Sequence, residues 1–179
     1  MARCRTMLSP FPIIPFSEAA GMEIERKWLV RPEEIPYDLS TLPALEIEQA
    51  YVSFSPVVRV RRINGGERHV LTVKRPTEYG GLANDEGEKD IDAELYAFLL
   101  ANASGNIIRK TRYLHALPNG LTEEIDVFSG ALQGLAYLEI EFPDVAAAES
   151  YPTPGWVRAD VTHDLRFKNS ALAQDGMPV

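Results

Sequence analysis

The sequence predicts an α+β chain whose body is an eight-stranded antiparallel β-barrel, charged inside, with helices packed against its outside. Three observations predict it. Eight segments alternate in side-chain character with the period of two that a strand requires. Most are joined by short links such as Asn64-Gly65-Gly66 and Pro118-Asn119-Gly120, the turn chemistry of antiparallel neighbours. The charges on their polar faces are also sorted by sign, one strand cationic and another acidic. Closure of so many strands removes exposed sheet edges, which favours a barrel over an open sheet.

The first strand begins at Glu23. Ile24, Arg26, Trp28 and Val30 share one face, and Glu23, Glu25, Lys27 and Leu29 the other. Three prolines between Arg31 and Leu45 make that stretch a loop. Glu46 to Phe54 returns as a strand, Ser55-Pro56 turns the chain, and Val57 to Ile63 follows with Arg59 and Arg61 on one face. Arg68 to Arg75 aligns Val70, Thr72 and Lys74. Thr77 to Asp85 reads as a flexible link, and Glu86 to Ile91 as a short strand with Glu86 and Glu88 aligned around Gly87. Asp92 to Ala103 reads as a helix capped by Asp92, with Leu95, Phe98 and Leu99 at helical spacing for a buried face. Three more strands follow. Asn106 to His115 aligns Ile108, Lys110 and Arg112; Thr122 to Phe128 aligns Glu124 and Asp126; Ala136 to Phe142 aligns Tyr137, Glu139 and Glu141. Asp144 to Tyr151 and Asp160 to Leu172 read as helices. Residues 1–21 are expected to be a disordered or wrongly assigned extension, 22–173 the domain, and 174–179 a loose tail.

Composition narrows the function. The chain has 179 residues, enough for one domain with a sizeable core. A net charge of −8 argues against a nucleic-acid or anionic-membrane partner, though it leaves room for a local basic pocket. No apolar run is long enough to span a membrane. The single Cys4 permits no internal disulfide and fits a reducing cytoplasm. His69, His115 and His163 are scattered, so a metal here would be held by oxygen rather than as zinc.

In an ordinary barrel the apolar face fills the middle and the charged face is solvated. Sorting by sign suggests the reverse arrangement, with apolar side chains outside under helices and a charged passage within. Buried unpaired charges cost several kcal/mol each, so such a passage is tolerable only when wet and mutually compensated. It is useful only for a charged ligand. Arginines and lysines would hold a polyanion, and divalent cations would bridge it to the carboxylates. A linear polyphosphate fits best.

The segment Glu23-Ile24-Glu25-Arg26-Lys27 resembles the opening strand of the CYTH proteins, the triphosphate tunnel metalloenzymes. The resemblance continues in order through Gln49-Ala50-Tyr51, Arg59-Val60-Arg61, Thr72-Val73-Lys74, Lys110-Thr111-Arg112-Tyr113, Glu124-Ile125-Asp126, Glu139-Ile140-Glu141 and Lys168-Asn169. It implies the eight-stranded tunnel and Mg²⁺- or Mn²⁺-dependent chemistry on a small-molecule triphosphate. Charge pattern and resemblance together nominate Glu23, Glu25, Glu139 and Glu141 as metal ligands, with Glu86, Glu88, Glu124 and Asp126 as further acidic candidates. Lys27, Arg59, Arg61, Lys74, Lys110 and Arg112 would grip phosphate oxygens. Arg166 and Lys168 either close the mouth or lie on a solvated helix. Glu25, Lys27 and Tyr51 are the catalytic candidates, Tyr51 paired with Lys27 unless it is plain aromatic packing. Phosphoryl transfer depends on positioning and charge neutralisation, so no Ser, Cys or His nucleophile is needed. The short form and its opening strand look most like the bacterial inorganic triphosphatases. An adenylate cyclase, a thiamine or nucleoside triphosphatase, and a non-catalytic polyphosphate-binding module are the alternatives.

Overall fold

A computed structural model describes residues 20–178; the expectation for residues 1–19 lies outside them. Eight strands form the barrel: β1 (Ala20–Leu29), β2 (Ala44–Phe54), β3 (Val57–Ile63), β4 (Arg68–Pro76), β5 (Ala83–Asp90), β6 (Ser104–Ala116), β7 (Thr122–Ser129) and β8 (Ala136–Glu141). Their spatial order is β5-β4-β3-β2-β6-β7-β8-β1, and β1 pairs back to β5, closing an antiparallel ring. Closure is achieved by dividing β1. Its first half, Ala20 to Ile24, pairs with β5; its second half, Glu25 to Leu29, pairs with β8. A two-residue strand β9 (Ala159–Asp160) adds to β1 at Trp28 and Leu29.

Alternation divides the molecule into an outer and an inner set of side chains. Outside, Ile24 and Trp28 of β1 join Ile125, Leu138 and Ile140 of the neighbouring strands, under Ala148 of helix α2 (Val145–Ser150). Burying such aliphatic side chains contributes about 1.5–3 kcal/mol each. A second outer cluster packs Ala50 and Val60 under helix α1 (Ala93–Ala101), between β5 and β6. Asp92 caps α1 by accepting the Leu95 amide at 2.8 Å, as expected.

The buried face of α1 differs from the expectation. Leu95 is 41% exposed and Phe98 66% exposed, whereas Tyr96 is buried. Tyr96 wins that position because its ring covers Val60 while its hydroxyl reaches Glu48 Oε1 at 3.2 Å. The expected helix from Asp160 to Leu172 is also shorter. Asp160 accepts the Thr162 amide at 3.0 Å and Asp164 the Arg166 amide at 3.1 Å. These local side-chain bonds compete with helical ones. The chain turns at Thr162 and His163, makes one 3-10 turn (Leu165–Phe167), and becomes helical only in α3 (Asn169–Asp175), which reaches into the expected tail.

α3 has a special place. Its Leu172 and Ala173 pack against Tyr51, Ile108, Phe128 and Tyr137. By strand parity these four lie on the same face as the inward charges, two positions along from Gln49, Lys110, Asp126 and Glu139. Gly105 makes room for α3, because a Cβ there would sit 2.6 Å from the Ala173 carbonyl oxygen, and its φ of +74° is left-handed. Gly105→Ala is therefore expected to cost at least about 1–3 kcal/mol, read as a lower urea midpoint; an unchanged midpoint would mean that α3 yields freely.

Candidate functional site

The inward faces enclose a cavity of about 500 Å³. Of the eight cationic candidates, all but Arg166 line it. Of the eight acidic candidates, all but Glu124 and Asp126 do. Tyr51 lines it too. Arg166 instead holds Asp164 at 2.7 Å on the surface, whereas Lys168, two residues on, reaches the wall. Residues two apart do not share a face of a helical turn, and the 3-10 turn that ends at Phe167 leaves Arg166 outside and Lys168 on the wall.

The register explains which charges meet. Arg112 stands opposite Asp126 in the β6–β7 ladder, Lys74 opposite Glu86 in β4–β5, and Lys27 opposite Glu139 in β1–β8. Each becomes an ion pair. Lys27 lies 2.7 Å from Glu139, and Lys74 reaches both Glu23 and Glu86. Arg61 pairs with Glu88, and Arg59 approaches Glu86 at 3.6 Å. Arg112 joins Glu124, Asp126 and Glu139, while Lys110 pairs with Asp126 behind it. Lys168 donates to the Gly81 carbonyl at 2.6 Å and lies 3.4 Å from Glu25.

Asp126 is the main revision among the acidic candidates. It is fully buried, outside the cavity wall, with both oxygens engaged by Arg112 and Lys110. Its place is that of a counter-ion to two cations of the cavity wall. Glu124 stands behind Arg112 in the same way. Sequence parity put both on the inner face, but only the closed register shows which inner carboxylates reach the open space.

One contact in this ladder is between like charges. Glu25 stands directly opposite Glu141. Like charges directly opposite destabilise a sheet unless something lies between them. Burial, with Glu124, Glu23 and Glu25 nearby, pushes the Glu141 carboxyl up to about 7. Glu139 behaves oppositely: burial opposes its charge, but Lys27 and Arg112 hold it well below the usual carboxylate range. Burial pulls Lys110 down to about 8, against the attraction of Asp126. Among the described residues, no three or more acidic, His or Cys side chains are drawn together in the geometry of a metal centre.

The catalytic candidates are dispersed differently from the expectation. Tyr51 is not hydrogen-bonded to Lys27; its hydroxyl accepts from Gln49 Nε2 at 2.7 Å, and its ring stacks on Phe54 at 5.4 Å. Lys27 lies instead 5.0 Å from the Tyr137 ring centre. Gln49 and Tyr137, which sequence reasoning did not nominate, stand buried behind the wall against Tyr51 and Lys27. The signal was present, since each falls on the inward parity of its strand, beside Tyr51 and Glu139.

Fold and site together define a closed antiparallel barrel enclosing a cavity whose wall is built of cross-strand ion pairs. No family model matches the chain. It is 36% identical over 152 residues to an inorganic triphosphatase of Nitrosomonas europaea, an alignment covering 84% of this chain and 96% of that protein. It is 33% identical over 158 residues to an inorganic triphosphatase of Acetivibrio thermocellus, covering 87% and 95%. The crystal structure of the inorganic triphosphatase NE1496 superposes with a TM-score of 0.59 at 34% identity, covering 84% of this chain and 93% of that one. The chain belongs to the inorganic triphosphatase family. Among the described residues, no helix is long and apolar enough to cross a membrane.

Proposed function

We propose that this protein is a metal-dependent triphosphatase of the CYTH kind, cleaving tripolyphosphate to pyrophosphate and phosphate inside its cavity. One observation carries the reading: the wall gathers the cations of four strands and of Lys168 around one space, most of them held in place by carboxylates. Such preorganised donors stabilise charge that develops on phosphate oxygens without reorganising during the reaction. The carboxylates leave little net positive charge on the wall, so the cations alone do not neutralise a triphosphate.

The donor set fits a divalent cation. Glu25 and Glu141 are hard oxygen donors, and their confrontation is the repulsion that a cation between them would relieve; Mg²⁺ is ordinarily held by one or two carboxylates with water and phosphate oxygens completing its shell, so a cluster of three is not required. Mg²⁺ or Mn²⁺ held there would neutralise phosphate charge and acidify an attacking water. The chain's own residues do the rest. Lys74, Arg59 and Arg61 bind phosphate oxygens along one wall, and Lys27, Lys110 and Arg112 along the other. Tyr51 donates a hydrogen bond from the floor.

Phosphate release from tripolyphosphate, ATP and thiamine triphosphate, measured with Mg²⁺, Mn²⁺ or EDTA, tests this. Release should be fastest from tripolyphosphate and should stop with EDTA. Cyclic nucleotide and pyrophosphate from ATP would replace the reading with a cyclase, and tight binding without turnover would replace it with a binding module. Glu25→Gln separates catalysis from binding most cleanly, because Glu25 is tied only loosely to Lys168 and its loss disturbs little packing. It should lower turnover by roughly 100-fold while tripolyphosphate still binds.

A further inference from the structure

Gln49 is fully buried on β2, does not reach the cavity wall, and has no counterpart in the charge-pairing scheme. Its amide nitrogen donates to the Tyr51 hydroxyl at 2.7 Å, while its carbonyl oxygen Oε1 is buried without a hydrogen-bond partner among the described residues. A buried amide left half satisfied is uncommon and needs a reason. The backbone supplies a second sign that this spot is special. The pairing of β2 with β3 slips between Tyr51 and Ser53, and that of β2 with β6 slips between Gln49 and Tyr51. Two irregularities on opposite sides of one strand thus converge on Tyr51, and bulges re-aim side chains.

The chemistry around the phenol gives these observations a direction. Tyr51 lines the cavity together with Arg59, Lys74, Lys27 and Arg61, whose charges act on its phenol, and none of them can accept a hydrogen bond. With the Gln49 amide N–H on one lone pair of the oxygen, the phenolic proton has no acceptor among these neighbours. An anion in the cavity is what could receive it.

We propose that Gln49 is a positioning residue: by donating to Tyr51 it forces the Tyr51 hydroxyl to act as a donor toward an oxygen of the bound polyphosphate. The inference rests on the triphosphatase reading. If the amide were turned over, Oε1 would take the phenolic proton and the ligand would lose that hydrogen bond. The unpartnered Oε1 is the cost of keeping the amide in the productive orientation.

Steady-state kinetics on tripolyphosphate with wild type, Gln49→Met, Tyr51→Phe and the double variant test this. Each single variant should lower kcat by roughly 10- to 100-fold with KM changed less than about threefold. The double variant should be no slower than Tyr51→Phe, because both changes remove one hydrogen bond. Gln49→Glu is nearly isosteric, keeps the packing if Met does not, and offers only acceptors at neutral pH. It should fall at least as far as Tyr51→Phe, with urea unfolding confirming that the variant is folded under assay conditions despite its buried charge. A Gln49→Met enzyme within about twofold of wild-type kcat would overturn the proposal. So would an equal loss from Gln49→Met in the wild-type and Tyr51→Phe backgrounds, which marks plain packing. A wild-type protein without turnover on any polyphosphate would overturn the triphosphatase reading, and this proposal with it; turnover with a silent Gln49 would overturn this proposal alone.

Discussion

Arg112→Ala is expected to remove about 3–5 kcal/mol of stability together with nearly all turnover. The guanidinium touches three carboxylates on two strands: Glu124 and Asp126 of β7, and Glu139 of β8 at 2.5 Å. Asp126 is fully buried, and without Arg112 it would have Lys110 alone. Breaking a buried network from one side strands charge in a medium that cannot solvate it, which costs more than the intact network contributes. Lysine should not rescue, because one ammonium cannot span three carboxylates as a planar fork does. Urea unfolding measures the loss. Combining Arg112→Met with Glu124→Gln should recover part of it, since Glu124 has Arg112 as its ion-pair partner and its stranded charge disappears, while Lys110 keeps Asp126 and turnover stays lost with the Arg112 guanidinium. A single variant within about 1 kcal/mol of wild type would mean that water solvates these carboxylates once Arg112 is gone, and that Asp126 is not held in a buried network.

The barrel was legible because its signal is local. Each strand carries its own alternation, and the turns carry their own chemistry at Asn64-Gly65-Gly66 and Pro118-Asn119-Gly120. Even Gly87, unusual within a strand, sits opposite Val73 and Ala20 with Glu86 and Glu88 both on the cavity wall. The helices were less legible. α1 is apolar nearly all round, so periodicity alone nominated Leu95 and Phe98; the hydroxyl of Tyr96 and its partner Glu48, 48 residues earlier in the chain, decided the face. Around Asp160 and Asp164, side-chain bonds to nearby amides outweighed the helical reading.

The site divides along the same line. Which residues face inward follows from parity, and nearly all the nominated charges reach the wall. What each charge does follows from closure, which sequence does not display. Asp126 and Glu141 look alike in the sequence, both acidic and both inward. The register sets Asp126 against Arg112 and Glu141 against Glu25. One carboxylate is thereby neutralised and withdrawn from the cavity, and the other is left with repulsion to discharge.

That repulsion sets the last expected result. Divalent-metal affinity should rise roughly tenfold per pH unit below about 7 and level off above it. Glu141 holds its proton up to about 7, first because of burial and then because Glu124, Glu23 and Glu25 are close. A cation that needs the ionised carboxylate must displace that proton below 7, and finds it already gone above. Stability of the metal-free protein should run the other way. An acid whose folded pKa is raised contributes stability that is present below its ordinary value of 4.5 and is lost as pH rises through about 7. Metal should restore what the rise in pH removes, so the stabilisation by Mg²⁺ or Mn²⁺ grows across the same window. Calorimetric titration in two buffers of different ionisation heat counts the released proton, and thermal unfolding with and without metal reads the stability. Glu141→Gln should flatten both profiles, since an amide neither titrates nor repels Glu25. A slope that survives Glu141→Gln would move the titrating group elsewhere in the cavity, and with it the place where the cation is held.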